Sequence, residues 1–186
     1  WLEETKMGCW IDMDFPLLKT FKVDLEIVDF LNQKYEQYSE NHSTILPEGS
    51  SFVTDTGQIT NNLASWEDDE YKQFIVEVLL NDISNLLNLP KEKIDLYFQN
   101  LYDYKKGGYV NLHNHAHCED FVVIIYLNTC NKGKTSFYFN EMTNKTKVEI
   151  SPIKGNGVCF SSLVMHEAEL TSESKRIFVV GVRVNL

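Results

Sequence analysis

The chain has 186 residues, of which 43% are hydrophobic and 12% aromatic, so it can bury one sizeable core but is too short for two ordinary domains. Its formal net charge of −10 and the lack of a Lys/Arg cluster disfavour nucleic acid as a partner, because phosphates attract basic surfaces. The longest apolar run, residues 121–127, has the length of a strand, so we expect no membrane-spanning helix.

Helical periodicity dominates the first half of the chain. Apolar residues recur at helical spacing from Ile27 to Tyr35 and, more clearly, from Tyr71 to Leu87. Acidic residues 67–70 favour the start of the second helix, and Pro90 ends it. Between the helices, residues 42–63 are rich in Ser, Thr, Gly and Asn, which predicts a long surface loop and a candidate lid.

The second half of the chain is rich in β-forming segments separated by turn residues. The predicted strands are Ile94–Tyr104, Tyr109–His113, Phe121–Leu127, Thr135–Phe139, Lys147–Ile150, Gly157–Phe160 and Arg176–Val184. Short strands without helices between them indicate an antiparallel sandwich or barrel. We therefore expect one domain over residues 1–186, with a helical support and lid region over 1–93 and a β core over 94–186.

The cysteines are spaced too widely for a metal knuckle or a redox motif. Cys9, Cys118, Cys130 and Cys159 form no CxxC pair. This pattern favours reduced thiols in a cytoplasmic protein over a disulfide framework.

The histidines are distributed in a way that indicates a metal site. His113, His115 and His117 lie together, and His166 follows much later in the chain. Residues two apart on a strand face the same side, so His113 and His115 can converge on one ion that His166 completes. Imidazole suits iron, zinc and copper. The alternative interpretation is a solvated, histidine-rich turn without metal.

Three segments resemble the prolyl-hydroxylase-like Fe(II)/2-oxoglutarate oxygenases. Residues 104–115 are similar to a Tyr-x-x-Gly strand that leads into a His-x-Asp iron motif, with Gly107 six residues before His113. Residues 121–128 resemble the core strand of that family, which ends in Tyr-Leu-Asn. Residues 133–137 resemble its Gly-Gly-x-Thr-x-Phe turn.

A fourth segment is the most specific. Residues 155–166, followed by Arg176 ten positions after His166, resemble the distal iron histidine of the family and the arginine that binds 2-oxoglutarate. Together the four segments cover about half of the chain, residues 97–186. The resemblance implies a mostly β fold with N-terminal helices and a double-stranded β-helix (jelly-roll) core.

The resemblance also implies the roles of individual residues. His113 and His166 would hold iron, and Arg176 would pair with the distal carboxylate of 2-oxoglutarate, since a guanidinium binds a carboxylate through paired hydrogen bonds. Tyr126 would donate to the same carboxylate, and Tyr104 and Thr135 would line the cosubstrate pocket. The implied cofactors are Fe(II), 2-oxoglutarate as cosubstrate and O2, with ascorbate as a candidate stimulant.

One position departs from the family pattern. The family has a carboxylate two residues after the first iron histidine, whereas this chain has His115 there. Either His113, His115 and His166 form a three-histidine face, or Glu119 or Asp120 supplies the carboxylate. Strand alternation favours the three-histidine set.

The expected activity is hydroxylation of a C–H bond in a peptidyl or small-molecule substrate by a 2-oxoglutarate-dependent dioxygenase. Two alternatives stay open at this point. One is a cupin-type barrel that binds metal without 2-oxoglutarate, and the other is a non-catalytic binding module with the oxygenase fold.

Overall fold

The computed structural model describes residues 18–45, 57–60, 63, 66–140 and 145–185. Within these residues the chain forms eleven strands in two antiparallel sheets, and its helices all precede the fourth strand. This mostly β architecture with N-terminal helices confirms the predicted fold class.

The larger sheet contains seven strands, β1 (Leu18–Lys22), β2 (Ser43–Ile45), β3 (Gly57–Thr60), β4 (Ile94–Tyr104), β6 (Phe121–Tyr126), β9 (Asn156–Ser161) and β11 (Lys175–Val184). Their order across the sheet is β1-β9-β6-β11-β4-β3-β2. The central strand β11 pairs with β4 on one side and β6 on the other. Its isoleucine and valines are branched residues that pack well on a pleated surface.

The smaller sheet contains four strands, β5 (Val110–His113), β7 (Thr135–Asn140), β8 (Lys145–Ile150) and β10 (Met165–Ala168). Their order is β5-β10-β7-β8. Strand β10 has only four residues, and it lies between β5 and β7. Because β10 pairs on both edges, its residues are held in register with two neighbours at once.

The helical layer consists of α1 (Leu25–His42), α2 (Asp69–Phe74), a π-helical turn (Ile75–Leu79) and α3 (Leu80–Leu87), followed by a 3₁₀ turn (Lys91–Lys93). The carboxylate of Asp68 caps α2 by accepting a hydrogen bond of 2.7 Å from the backbone N–H of Tyr71. Asn88 ends α3 in the left-handed conformation, with φ at 55°. Both predicted helices are confirmed.

Residues of the larger sheet alternate between two cores. Phe178, Val180 and Val182 of β11 pack in a core with the helices. Ile177 and Val179 belong to a second core with residues of the smaller sheet such as Phe137. Successive side chains of a strand point to opposite faces. Neighbouring residues of β11 therefore enter different cores, one against the helices and the other between the two sheets.

All seven predicted strands are present, and Ile94–Tyr104 has the predicted bounds. Four further strands, β1, β2, β3 and β10, were not predicted. The loop predicted over residues 42–63 is therefore wrong at its ends, where β2 and β3 extend the larger sheet. Edge strands can be short and polar, so they lack the hydrophobic alternation that identifies a strand. The middle of that segment lies outside the described residues.

Two further sequence expectations concern membrane helices and thiols. None of the helices in the described part of the chain is long and apolar enough to cross a membrane. Cys118, Cys130 and Cys159 are free thiols, whereas Cys9 lies outside the described residues.

Strands from before residue 94 join the larger sheet, so the β core draws on both sides of the expected boundary at 93/94. The single domain over 1–186 stays a prediction.

We predict that the contact between α1 and α2 depends on Asp68. Its carboxylate caps α2 and contacts the buried ammonium of Lys34, in α1, at 3.0 Å. Asp68→Ala should lower the free energy of unfolding by about 3 kcal/mol, because it removes a cap and half of the countercharge on Lys34. Asp68→Asn keeps the cap and should cost less. Urea unfolding with an unchanged m-value measures both losses, and equal losses would contradict this assignment.

Candidate metal and anion site

A cavity of about 410 Å³ lies between the two sheets. Its polar lining comes from both sheets and includes His113, His115, His166, Tyr104, Thr135 and Lys175. The remaining wall is mainly apolar, with Val122, Ile124, Ile177 and Val179 projecting from β6 and β11. A pocket with a few convergent polar groups on an apolar wall is typical of a binding site.

The pairing of β5 with β10 brings the histidines together. His166 lies opposite His113 in the register of these two strands, and the two ring centroids are 4.2 Å apart. His115 follows β5 by two residues, and its backbone N–H donates to the carbonyl of Ser162 at 2.9 Å. One ring nitrogen of each histidine lies within 4.8 Å of those of the other two. The structure thus assembles the predicted three-histidine group.

Each imidazole is oriented through its Nδ1 atom. The carbonyl of Asn111 accepts from His113 at 2.7 Å, and the carbonyl of Val164 accepts from His166 at 3.1 Å. Nδ1 of His115 lies 2.6 Å from the carboxylate of Glu119, which is an ion-pair distance. Carbonyl oxygens only accept, so the hydrogen-bond network assigns the ring proton of His113 and of His166 to Nδ1. In His113 and His166 the lone pair that can bind a metal is then on Nε2.

The environment keeps two of the rings neutral. Burial lowers the pKa of His166 to about 3, with a smaller contribution from the neighbouring His113. Burial also lowers the pKa of His113 below its usual value, with a smaller contribution from His115. A neutral imidazole is the form that binds a metal, so these two rings are ready to act as ligands at neutral pH.

The donor set fits a divalent first-row metal. The Nε2 atoms of His113 and His115 are 3.2 Å apart, and two lone pairs at that distance repel each other unless a cation or a proton lies between them. Nitrogens at this separation can both reach an ion at the usual distance of about 2.1 Å. Of the carboxylates considered as a third ligand, Glu119 lies behind His115, and Asp120 accepts from the backbone N–H of Val184 at 2.7 Å.

Lys175, the first residue of β11, supplies a positive charge to the same cavity. The residue is 1% exposed, its Nζ donates to the carbonyl of Gly133 at 3.1 Å, and it lies 5.0 Å from the ring centre of Tyr104. Among the described residues, no carboxylate lies within ion-pair distance of it. Burial lowers its pKa to about 8, against smaller opposing effects of Cys130 and Glu169. A buried cation of this kind requires an anionic partner.

Arg176 does not reach the cavity, which corrects the expectation that its guanidinium lies beside the histidines. It lies on the opposite face of β11, where it contacts Glu36 at 2.5 Å, Asp103 at 3.4 Å and the ring of Tyr35 at 4.4 Å. Strand alternation is the reason, because residues 175, 177 and 179 face the cavity and residue 176 faces α1.

The remaining predicted cosubstrate residues lie at or next to the cavity. Tyr104 and Thr135 line it, whereas Tyr126 is fully buried behind it. The hydroxyl of Tyr126 donates to Oγ1 of Thr135 at 2.7 Å. Tyr126 therefore orients the hydroxyl of Thr135. Cys118, in the turn after His115, lines the cavity, whereas His117 is exposed.

Sequence reasoning missed Lys175, although it adjoins Arg176. Strand β11 is apolar on both faces, so its sequence has no polar alternation that tells which residues face inward. The partner strand β4 shows which face of β11 meets the cavity. Tyr102 and Tyr104 of β4 line the cavity, and Lys175 pairs with Tyr104, so Lys175 faces the cavity as well.

Comparisons with known proteins support the fold. No protein-family model matches the sequence, and no curated protein matches it. A prolyl-4-hydroxylase from Pseudomonas putida superposes with a TM-score of 0.73 at 13% identity, over 94% of this chain and 96% of that chain. A prolyl hydroxylase from Trichoplax adhaerens, in complex with a hypoxia inducible factor peptide fragment, gives 0.67 at 14% identity, over 92% and 85%.

A third similar structure carries both a metal and a cosubstrate. HygX from Streptomyces hygroscopicus, with nickel and 2-oxoglutarate bound, superposes with a TM-score of 0.67 at 11% identity, over 93% of this chain and 85% of that chain. The likeness spans nearly the whole of each molecule rather than one motif. The chain therefore has the jelly-roll fold of the prolyl-hydroxylase-like 2-oxoglutarate/Fe(II) oxygenases.

Proposed function

We propose that this protein is an Fe(II)- and 2-oxoglutarate-dependent dioxygenase that hydroxylates a C–H bond of a peptidyl or small-molecule substrate. The observation that carries the proposal is one cavity that contains three converging imidazoles and a buried ammonium without an ionic partner among the described residues. A metal ion would bind the three imidazoles, and an organic dianion would pair with the buried ammonium.

His113, His115 and His166 would hold the ferrous ion. Three protein ligands suit this chemistry, because a ferrous site needs open positions for a bidentate oxo acid and for dioxygen. When bound, iron with 2-oxoglutarate and O2 supplies the oxidation, which yields succinate, carbon dioxide and a hydroxylated substrate. The contribution of this chain is to orient the three rings and to keep two of them unprotonated.

Lys175 would anchor the distal carboxylate of 2-oxoglutarate, in place of Arg176. Its Nζ already donates to the carbonyl of Gly133 and has two further N–H donors for an anion. Tyr104 and Thr135 line the same part of the cavity, and Tyr126 fixes the hydroxyl of Thr135. Val122 and Ile124 extend the apolar wall, which excludes water and strengthens the ion pair.

The neighbours bear on the substrate class. One of them is in complex with a peptide, and others are an epimerase and a carbocyclase from nogalamycin biosynthesis. The fold therefore accommodates both peptidyl and small-molecule chemistry, so the substrate class proposed here includes both. The acidic surface of this chain favours a basic substrate by electrostatic complementarity.

We predict succinate formation that depends on the histidine group. Anaerobically iron-loaded protein mixed with 2-oxoglutarate and then oxygen should release succinate, which mass spectrometry quantifies. His166→Ala removes a ligand and should lower the rate by more than about 100-fold. His117→Ala, at an exposed position outside the cavity lining, is the matched control and should retain the rate. Equal rates for wild type and His166→Ala, with candidate substrates present, would refute the oxygenase proposal.

The adjacent pair Lys175 and Arg176 gives a test of the anchor. Lys175→Met should weaken 2-oxoglutarate binding by about 100-fold, equivalent to roughly 3 kcal/mol, because it removes the buried countercharge. Arg176→Met alters the opposite face of β11 and should leave this affinity nearly unchanged. Calorimetry with the Zn(II)-loaded protein measures both dissociation constants. A larger loss of affinity in Arg176→Met than in Lys175→Met would restore Arg176 as the anchor. Absence of 2-oxoglutarate binding by the wild-type protein would favour a cupin-type barrel.

The affinity for 2-oxoglutarate should also depend on pH. Burial lowers the pKa of Lys175 to about 8, so the ammonium loses its proton as the pH rises through that value. A bound dianion favours the protonated form, hence affinity should be full below pH 8 and fall above it by about tenfold per pH unit. Isothermal titration from pH 7 to 9.5 measures this slope. Lys175→Met should abolish it, and an equal slope in that variant would contradict the assignment.

A further inference from the structure

Glu119 is a buried carboxylate with an unusual position beside the histidine group. The residue is 6% exposed, and its Oε1 lies 2.6 Å from Nδ1 of His115, four residues earlier in the chain. The intervening turn is closed by the backbone N–H groups of Cys118 and Glu119, which both donate to the carbonyl of His115. Glu119 and His115 are therefore held by one local turn, independent of the strand pairing that places His113 and His166.

The contact determines which nitrogen of His115 faces the other histidines. With Nδ1 directed at Glu119, Nε2 lies 3.2 Å from Nε2 of His113. The ring of His115 is also nearly parallel to that of His166, with centroids 5.2 Å apart and an interplanar angle of 12°. Rotation of the ring by half a turn would place the Cε1–H group where Nε2 now lies and would move Nδ1 away from Glu119, so the contact with the carboxylate favours the orientation that can bind a metal.

Glu119 differs in its charge from the groups that contact Nδ1 of the other two rings. His113 and His166 donate to the neutral carbonyls of Asn111 and Val164. The only carboxylate in contact with any of the three rings in the described part of the chain is that of Glu119. The neighbouring Glu167 accepts instead from the hydroxyl of Tyr138. Among the described residues, the carboxylate that touches the histidine group therefore lies behind His115.

The carboxylate is costly in the absence of a cation. Both of its oxygens are buried and have no hydrogen-bond partner among the described residues. A buried carboxylate paired with one neutral imidazole is poorly compensated, because burial costs a charge several kcal/mol of solvation. A divalent ion on the other side of the ring supplies the missing countercharge through the polarised imidazole.

We propose that Glu119 is a positioning residue that completes the metal centre from behind His115. Its carboxylate lies against Nδ1 of His115 and returns the negative charge that is missing from a set of three neutral ligands. The inference rests on the metal centre of the proposed function, and it extends that proposal by explaining how His115 can stand where a carboxylate ligand is usual in the resembling family.

The test is the metal affinity of the protein without 2-oxoglutarate or oxygen. Co(II) serves as the probe, because its absorption spectrum reports both the dissociation constant and the ligand arrangement. Glu119→Gln keeps the shape and an accepting oxygen but removes the charge, and it should weaken Co(II) binding by about 10- to 100-fold. Glu119→Ala removes the acceptor as well and should weaken binding further. Asp120→Asn, a neighbouring exposed carboxylate, should bind Co(II) like wild type.

A double-mutant cycle shows whether Glu119 acts through His115. In a His115→Ala background, Glu119→Gln should change the affinity for Co(II) very little, because the ring that transmits its effect is gone. An undiminished effect in that background would mean that the carboxylate reaches the ion directly, which would overturn the positioning role. Equal Co(II) affinities for Glu119→Gln and wild type would overturn it as well.

Thermal unfolding of the metal-free variants separates this role from a structural one. Glu119→Gln should be at least as stable as wild type without metal, because it removes a poorly compensated buried charge. Loss of stability with unchanged Co(II) affinity would instead assign Glu119 to the turn alone. If wild type binds no Co(II), this inference and the metal centre fail together. If Co(II) binding depends on Glu119 but no succinate forms, only the oxygenase proposal fails.

Discussion

The site depends on the pairing of β5 with β10, which places His166 opposite His113. Each of these strands has only four residues, so neither is stable alone. The smaller sheet holds β10 from its other edge through β7, where Phe137 packs beneath His166 at 5.9 Å between ring centroids. Any change that shifts this register by one residue would turn His166 away from His113.

The electrostatics of the cavity follow from the same arrangement. The walls are apolar enough to keep His113 and His166 neutral and to lower the pKa of Lys175. Imidazole nitrogens on one side and an ammonium on the other thus face one space. Glu119 adds its charge outside the cavity lining, behind His115, so the ring of His115 lies between the carboxylate and the space that the proposed ligands would occupy.

The helical layer has a separate role, in which Arg176 takes part. Its guanidinium joins α1 to the larger sheet by contacting Glu36 and Tyr35 of the helix and Asp103 of β4. Asp103 is buried and also accepts from Lys105 and Ser174, so this network satisfies its carboxylate from three directions. The helices therefore cover the outer face of the sheet whose inner face forms the cavity, and the two functions are divided between alternate residues of β11.

The sequence by itself determined the β-rich second half, both helices and the convergence of His113, His115 and His166, because strand periodicity and ligand type are local properties. It did not determine β1, β2, β3 or β10, whose short segments become strands only through their partners. Nor did it distinguish Lys175 from Arg176, since β11 is apolar on both faces and only packing decides which face meets the cavity. The position of Glu119 behind His115 likewise depends on the folded turn and the surrounding burial, which no spacing of residues specifies.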